Sequence, residues 1–122
     1  MTLSEYQDRA METCLPASDN FAYMLLNLVG EVGEFAGKVG KYIRKGKVRI
    51  DEQDFVFSGD CTVEEADDYT QALSHEAGDI LWQLAGLCTA MGWSLEIVAR
   101  QNLDKLADRK KRGVIASSGD NR

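Results

Sequence analysis

Proline occurs once in the 122 residues, at Pro16, and the long stretches after it carry apolar residues three and four apart with almost no strand-like alternation. A chain with that period and no internal breaker folds into helices. The spacing predicts an all-α fold of four helices in one domain covering residues 1–122. Thr2 and Glu5 have capping-box spacing and open a first helix that should end near Leu15-Pro16. Ser18-Asp19-Asn20 caps a second, which reaches Arg44-Lys45-Gly46. Residues 46–61 are polar around Phe55-Val56-Phe57 and read as a loop with room for a short hairpin, placed to act as a lid. Thr62 with Glu65 opens a third helix to Met91-Gly92, and Ser94 caps a fourth from Leu95 to about Arg112. Residues 112–122 read as an extended tail.

A chain this long buries roughly two thirds of its unfolded surface, enough for one modest core. With 44% hydrophobic and 28% charged residues, it is neither disordered nor membrane-embedded. No apolar run approaches the roughly 18 residues of a membrane span. The start, Met1-Thr2-Leu3-Ser4-Glu5, has no secretory character, so a cytoplasmic location is expected. Cys14, Cys61 and Cys88 are widely spaced and read as free thiols. A net charge of −6 argues against binding a nucleic-acid polymer, although a small anion could still be received by a metal and local cations.

In the second helix Leu25, Leu28, Val29, Val32, Ala36, Val39 and Ile43 gather into one stripe, read as core. Glu31, Glu34 and Lys38 share a face beside it. Gly30, Gly33, Gly37 and Gly40 lie on the opposite flank, where each costs on the order of 1 kcal/mol relative to alanine, which suggests that another backbone packs closely there. In the third helix Leu73, Ala77, Ile80, Leu84, Leu87 and Met91 form the expected buried stripe, with Glu76 and Asp79 at its border. Each helix thus carries an acidic pair spaced i to i+3, and like charges there repel by a few tenths of a kcal/mol. Mg²⁺ would offset the repulsion, being a hard cation that takes oxygen ligands and keeps waters or phosphate oxygens in its other positions; Mn²⁺ is the natural substitute. The competing reading is two solvated helix faces. Glu64, Glu65, Asp67 and Asp68 complement a helix N-terminus and read as structural. A di-iron bundle would need two ExxH motifs, whereas the single histidine, His75, follows Ala72 at that spacing.

The fourth helix buries Leu95, Val98, Ala99 and Leu106, with Asn102 in the middle of that face as either structural glue or part of a polar site. Lys105 and Arg109 share its flank and, with Lys38, offer positive charge to a polyphosphate, or else simply face solvent. Trp82 and Trp93 could stack on a base but are commonly packing residues.

Together Gly30-Glu31-Val32-Gly33-Glu34 with Lys38, Glu76-Ala77-Gly78-Asp79-Ile80-Leu81-Trp82, Asn102-Leu103-Asp104-Lys105-Leu106 and Arg112-Gly113-Val114-Ile115 resemble the MazG-like nucleotide pyrophosphohydrolases of the all-α NTP pyrophosphatase superfamily. The resemblance covers roughly residues 20–45 and 70–120. It implies a helical bundle that forms a homodimer or a dimer of dimers, with Mg²⁺ held by Glu31, Glu34, Glu76 and Asp79. The implied reaction cleaves a nucleoside triphosphate between its α and β phosphates, with Asn102 and Lys105 at the substrate; on the reading of the residues themselves, Glu31, Glu34 and Lys38 are expected to be catalytic and Lys38 and Arg109 to be further substrate contacts. Gly30 stands where many members carry a further glutamate, which leaves the number of metal ions open. Two rivals remain: a pyrophosphatase selective for dUTP or dCTP, and a helical interaction module without catalysis.

Overall fold

A computed structural model describes residues 1–116, 118 and 119. The elements are α1 (Leu3–Met11), a 3-10 turn (Pro16–Ser18), α2 (Phe21–Arg44), β1 (Val48–Asp51), β2 (Asp54–Phe57), α3 (Val63–Ala90) and α4 (Leu95–Arg112). Four of the helix starts are set as the sequence predicts. Thr2 and Thr62 each close a full capping box with Glu5 and Glu65, while Asn20 and Ser94 accept from the backbone of Tyr23 and Ile97.

α1 is the exception at its end, stopping at Met11 rather than near Pro16. The Ala10 carbonyl is claimed by the Trp82 indole N–H at 3.0 Å and by the Thr13 hydroxyl at 2.7 Å. A tertiary partner therefore takes the acceptor that a longer helix would use. Of the expected tail, residue 112 is still helical, 113–116 turn, and 117 and 120–122 lie outside the described residues.

α2 and α3 form an antiparallel hairpin, joined by the two-stranded ribbon in which Val48 pairs with Phe57 and Asp51 with Asp54. The ribbon is anchored rather than free. Val48 is buried with Tyr42 and Leu73, Phe57 packs on the same cluster, and Lys47 lies 3.4 Å from Glu65 on α3. Tyr42 and Tyr69 stack at 4.0 Å and close that end of the hairpin. At the other end Met24 is fully buried against Gly86, where an added Cβ would collide with the methionine side chain. That close approach fixes the register of the two long helices.

A second cluster joins Ala85, Cys88 and Leu95 to Leu3, Tyr6, Met11 and Val98. Gln7 locks it, donating to Thr89 Oγ1 at 2.9 Å and to the Trp93 carbonyl at 3.0 Å while accepting from the Leu95 N–H at 2.8 Å. α4 is thus held by its first turns.

The core faces differ from the expected stripes. On α2 the residues turned to α3 are Met24, Phe35 and Tyr42, with Leu28 and Val39 half-buried. Leu25, Val29, Val32, Ala36 and Ile43 are exposed, Val29 to 67%. On α3 Leu73 is buried, Ile80 and Leu87 are half-buried, and Ala77, Leu84 and Met91 are exposed. On α4 Leu95 is buried and Val98 and Ala99 half-buried, but Asn102 and Leu106 are exposed. Among the described residues nothing from outside α2 comes within 4 Å of a Cβ built at Gly30, Gly33, Gly37 or Gly40; the atoms nearest Gly30 and Gly40 belong to Asn27 and Arg44 of the same helix. α2 is apolar on two faces, and periodicity alone does not say which of them its own chain covers.

Candidate metal centre

Glu31 and Glu34 stand on α2 and Glu76 on α3, midway between the two plugged ends of the hairpin. One carboxylate oxygen from each lies within 4.8 Å of the other two. Glu76 is buried, Glu31 half-buried and Glu34 exposed, so the cluster opens to solvent on the Glu34 side. Oε2 of Glu31 and Oε2 of Glu76 are buried without a hydrogen-bond partner in the protein. A buried acceptor left unpaired costs about 1–3 kcal/mol, more when charged. The other oxygen of Glu76 is held by the Lys38 ammonium, whose pKa that contact raises.

The field at Glu31 reports the same crowding. Burial raises its pKa first, followed by the charges of Glu34, Asp79 and Glu76 and a hydrogen bond with Glu34. The fold therefore holds this proton more tightly than the unfolded chain does. That contribution to stability is complete below the ordinary value of 4.5 and is lost as pH rises through the elevated folded value. In metal-free buffer Glu31→Gln is expected to match the parent's melting temperature in acid and exceed it near neutrality. Equal melting temperatures at both ends would mean that the carboxylates do not share a field.

Of the four expected metal ligands, three converge. Asp79 is exposed and outside the three-carboxylate group, since a step of three residues turns it about 60° around α3 from Glu76. Its charge still acts on Glu31 and, after burial, helps raise the Tyr6 pKa. Lys38 is at the cluster. Asn102 and Lys105 lie elsewhere. Asn102 and Lys105 line a separate open groove of about 350 Å³ with Val98 and Gln101, and Arg109 is buried on α4. The leading charge effects on Glu31 come from α2 and α3. The expectation that Asn102 sits in a buried face fails, since Asn102 is exposed although Arg109, two turns on, is buried.

Trp82 is fixed as a packing residue by its hydrogen bonds to the Ala10 carbonyl of α1 and, at 2.9 Å, to Thr13 Oγ1 in the turn after it, whereas Trp93 is exposed. The three cysteines are free. Gln83, buried on α3 with its Oε1 unpaired, is not among the residues expected at the site; its signal in the sequence is a polar residue seven after Glu76, among Leu73, Ile80 and Leu87. Three hard oxygen donors around a polar opening, two of them with unpaired buried lone pairs, suit a divalent cation of the Mg²⁺ type. Among the described residues no helix is long and apolar enough to cross a membrane.

The chain is 36% identical, over 129 aligned residues that cover the whole of both chains, to the Gene 37 protein of Mycobacterium phage L5. No solved structure matches it. The model of the MazG nucleotide pyrophosphohydrolase domain matches residues 20–114, which contain α2, the ribbon, α3, α4 and all three clustered carboxylates. The chain accordingly belongs to the MazG nucleotide pyrophosphohydrolase family.

Proposed function

We propose that this protein is a Mg²⁺-dependent nucleoside triphosphate pyrophosphohydrolase, converting a ribo- or deoxyribonucleoside triphosphate and water into the monophosphate and pyrophosphate. The observation that carries the reading is the convergence of Glu31, Glu34 and Glu76, with two buried oxygens unpaired, inside the span that matches the family. Those three residues would hold the ion, with Asp79 beside them; bound there, Mg²⁺ (or Mn²⁺) supplies charge neutralisation to the phosphates and acidifies water.

The chain's own groups do the rest. Glu31 or Glu34 takes the proton of the attacking water as the water's oxygen bonds to the α phosphorus. The bond from that phosphorus to the bridging oxygen breaks, and pyrophosphate leaves. Lys38 exchanges Glu76 for phosphate oxygens and stabilises the charge that builds on the transferred group.

The functional assembly is a homodimer. A 13.5 kDa monomer is expected to expose about 6,500 Å² of surface, and this chain exposes 8515 Å², about 2,000 Å² more. The exposed apolar residues of α2, together with Leu81 and Leu84 of α3, are what a second copy would cover. Asn102 and Lys105 then remain substrate contacts only if the second copy's α4 delivers them. The free thiols suit the reducing cytoplasm.

Selectivity for dUTP or dCTP is a narrower version of the same activity. A panel of standard, deoxy and modified triphosphates, assayed with Mg²⁺ and with products separated, tests both. Pyrophosphate release is expected, strongest for the preferred base. Orthophosphate release, or no release together with no Mg²⁺-dependent thermal shift, would favour a non-catalytic helical module instead.

A further inference from the structure

Gln83 is 4% exposed, and its side-chain oxygen has no hydrogen-bond partner in the protein. Seven residues bring it to within about 20° of the angular position of Glu76 on α3, at 100° per residue. Both side chains therefore face α2, and Gln83 lies about 6 Å along the helix axis beyond Asp79 and about 10 Å beyond Glu76. The register that sets Met24 against Gly86 and Tyr42 against Tyr69 places Asn27 across from it. Asn27 is half-buried and points its amide oxygen along its own helix, toward Gly30.

The space between the two helices is thus divided into layers. Tyr42, Leu73, Val48 and Tyr69 seal one end with apolar side chains, and Met24 packed on Gly86 seals the other. Between these plugs, past Phe35, which packs on the first of them, lie the three carboxylates and Lys38, and then Gln83 and Asn27 beside the half-buried Leu28 and Ile80. A nucleotide whose triphosphate lies at the carboxylates can extend its nucleoside toward Gln83 or out through the open Glu34 side, while the tyrosine stack blocks the opposite direction along the hairpin.

We propose that Gln83 is a specificity-determining residue, its amide hydrogen-bonding the ribose or base of the nucleotide rather than the polyphosphate. This rests on the reading of the carboxylate cluster as a triphosphate site and adds to it a contact for the nucleoside. An amide suits the role, since it offers an acceptor and two donors at one position. The unpaired oxygen is a cost that the free protein carries and that the bound nucleoside relieves.

The test is Gln83→Met, which keeps the length and shape of the side chain and removes the amide, with Gln83→Asn as a second variant that keeps the amide and shortens its reach. Dimeric protein is titrated with a nucleoside triphosphate and, separately, with inorganic triphosphate, both with Ca²⁺ in place of Mg²⁺ to prevent turnover, and melting temperatures are recorded. Nucleotide affinity is expected to fall about 10- to 100-fold in both variants, while inorganic triphosphate binds within about twofold of the parent and the Met variant melts no lower than the parent. Unchanged nucleotide affinity, equal losses for both ligands, or a lower melting temperature in the Met variant would overturn the assignment and make Gln83 a structural residue. Should the parent protein bind inorganic triphosphate but no nucleotide, or neither ligand, the failure lies in the proposed function, and the two failures are told apart by the parent alone.

Discussion

Glu76→Ala is expected to lower kcat/KM for nucleoside triphosphate hydrolysis by at least about a thousandfold, equivalent to roughly 4 kcal/mol of lost transition-state stabilisation. Glu76 is the buried member of the three-carboxylate group, it holds Lys38 in place, and its second oxygen has no other partner. The substitution therefore removes a cation ligand and releases the lysine at once. The fold should survive, because a carboxylate crowded by Glu31 and Glu34 is not a source of stability in the free protein. The metal-free melting temperature is expected to stay level or rise, and the Mg²⁺-induced rise to disappear. Glu64→Ala is the control: that residue lies in the first turn of α3, where it complements the helix end, and its loss should leave turnover unchanged. Turnover within tenfold of the parent in Glu76→Ala would remove the cluster from the chemistry.

The sequence carried the elements well because local rules set their starts. Threonine, asparagine and serine caps bond within three residues of themselves, so Thr2, Asn20, Thr62 and Ser94 needed no tertiary information. The end of α1 did, since the Ala10 carbonyl is taken by Trp82, 72 residues away. The acidic pairs were legible for a similar reason: i to i+3 spacing is a local signal, and the two pairs met because α2 and α3 are antiparallel neighbours. Their ranking was not legible. Which carboxylate turns inward depends on the register fixed by Gly86 and Met24, and that register buries Glu76 while leaving Asp79 outside the group. The core of α2 was misread because the helix is apolar on two sides, and hydrophobic period reports a stripe without naming its partner. Asn102 was misread through the same gap: it is exposed between the buried Leu95 and Arg109, while the second apolar face of α2 is left uncovered among the described residues.

That uncovered face carries the second large expectation, a change of oligomeric state. The parent protein should sediment at twice the chain mass of 13.5 kDa, and Val29→Glu with Val32→Glu should sediment as a single chain. Both valines are exposed, and neither takes part in the core clusters, so the monomer loses little by their replacement. In the dimer each glutamate would be buried against apolar surface with no cation to pair it, a cost of several kcal/mol per charge. The monomer's surface excess of about 2,000 Å² is the scale at which obligate dimers bury their protomers. Loss of the dimer should therefore also lower thermal stability and make it depend on protein concentration. Activity separates two versions of the assembly. If the second copy supplies Lys105 or Asn102 to the substrate, the monomeric variant binds Mg²⁺ through its own Glu31, Glu34 and Glu76 yet fails to turn over nucleotide. A parent protein that sediments as a monomer at micromolar concentration would leave the apolar side of α2 unexplained and require α4 to contribute nothing to catalysis.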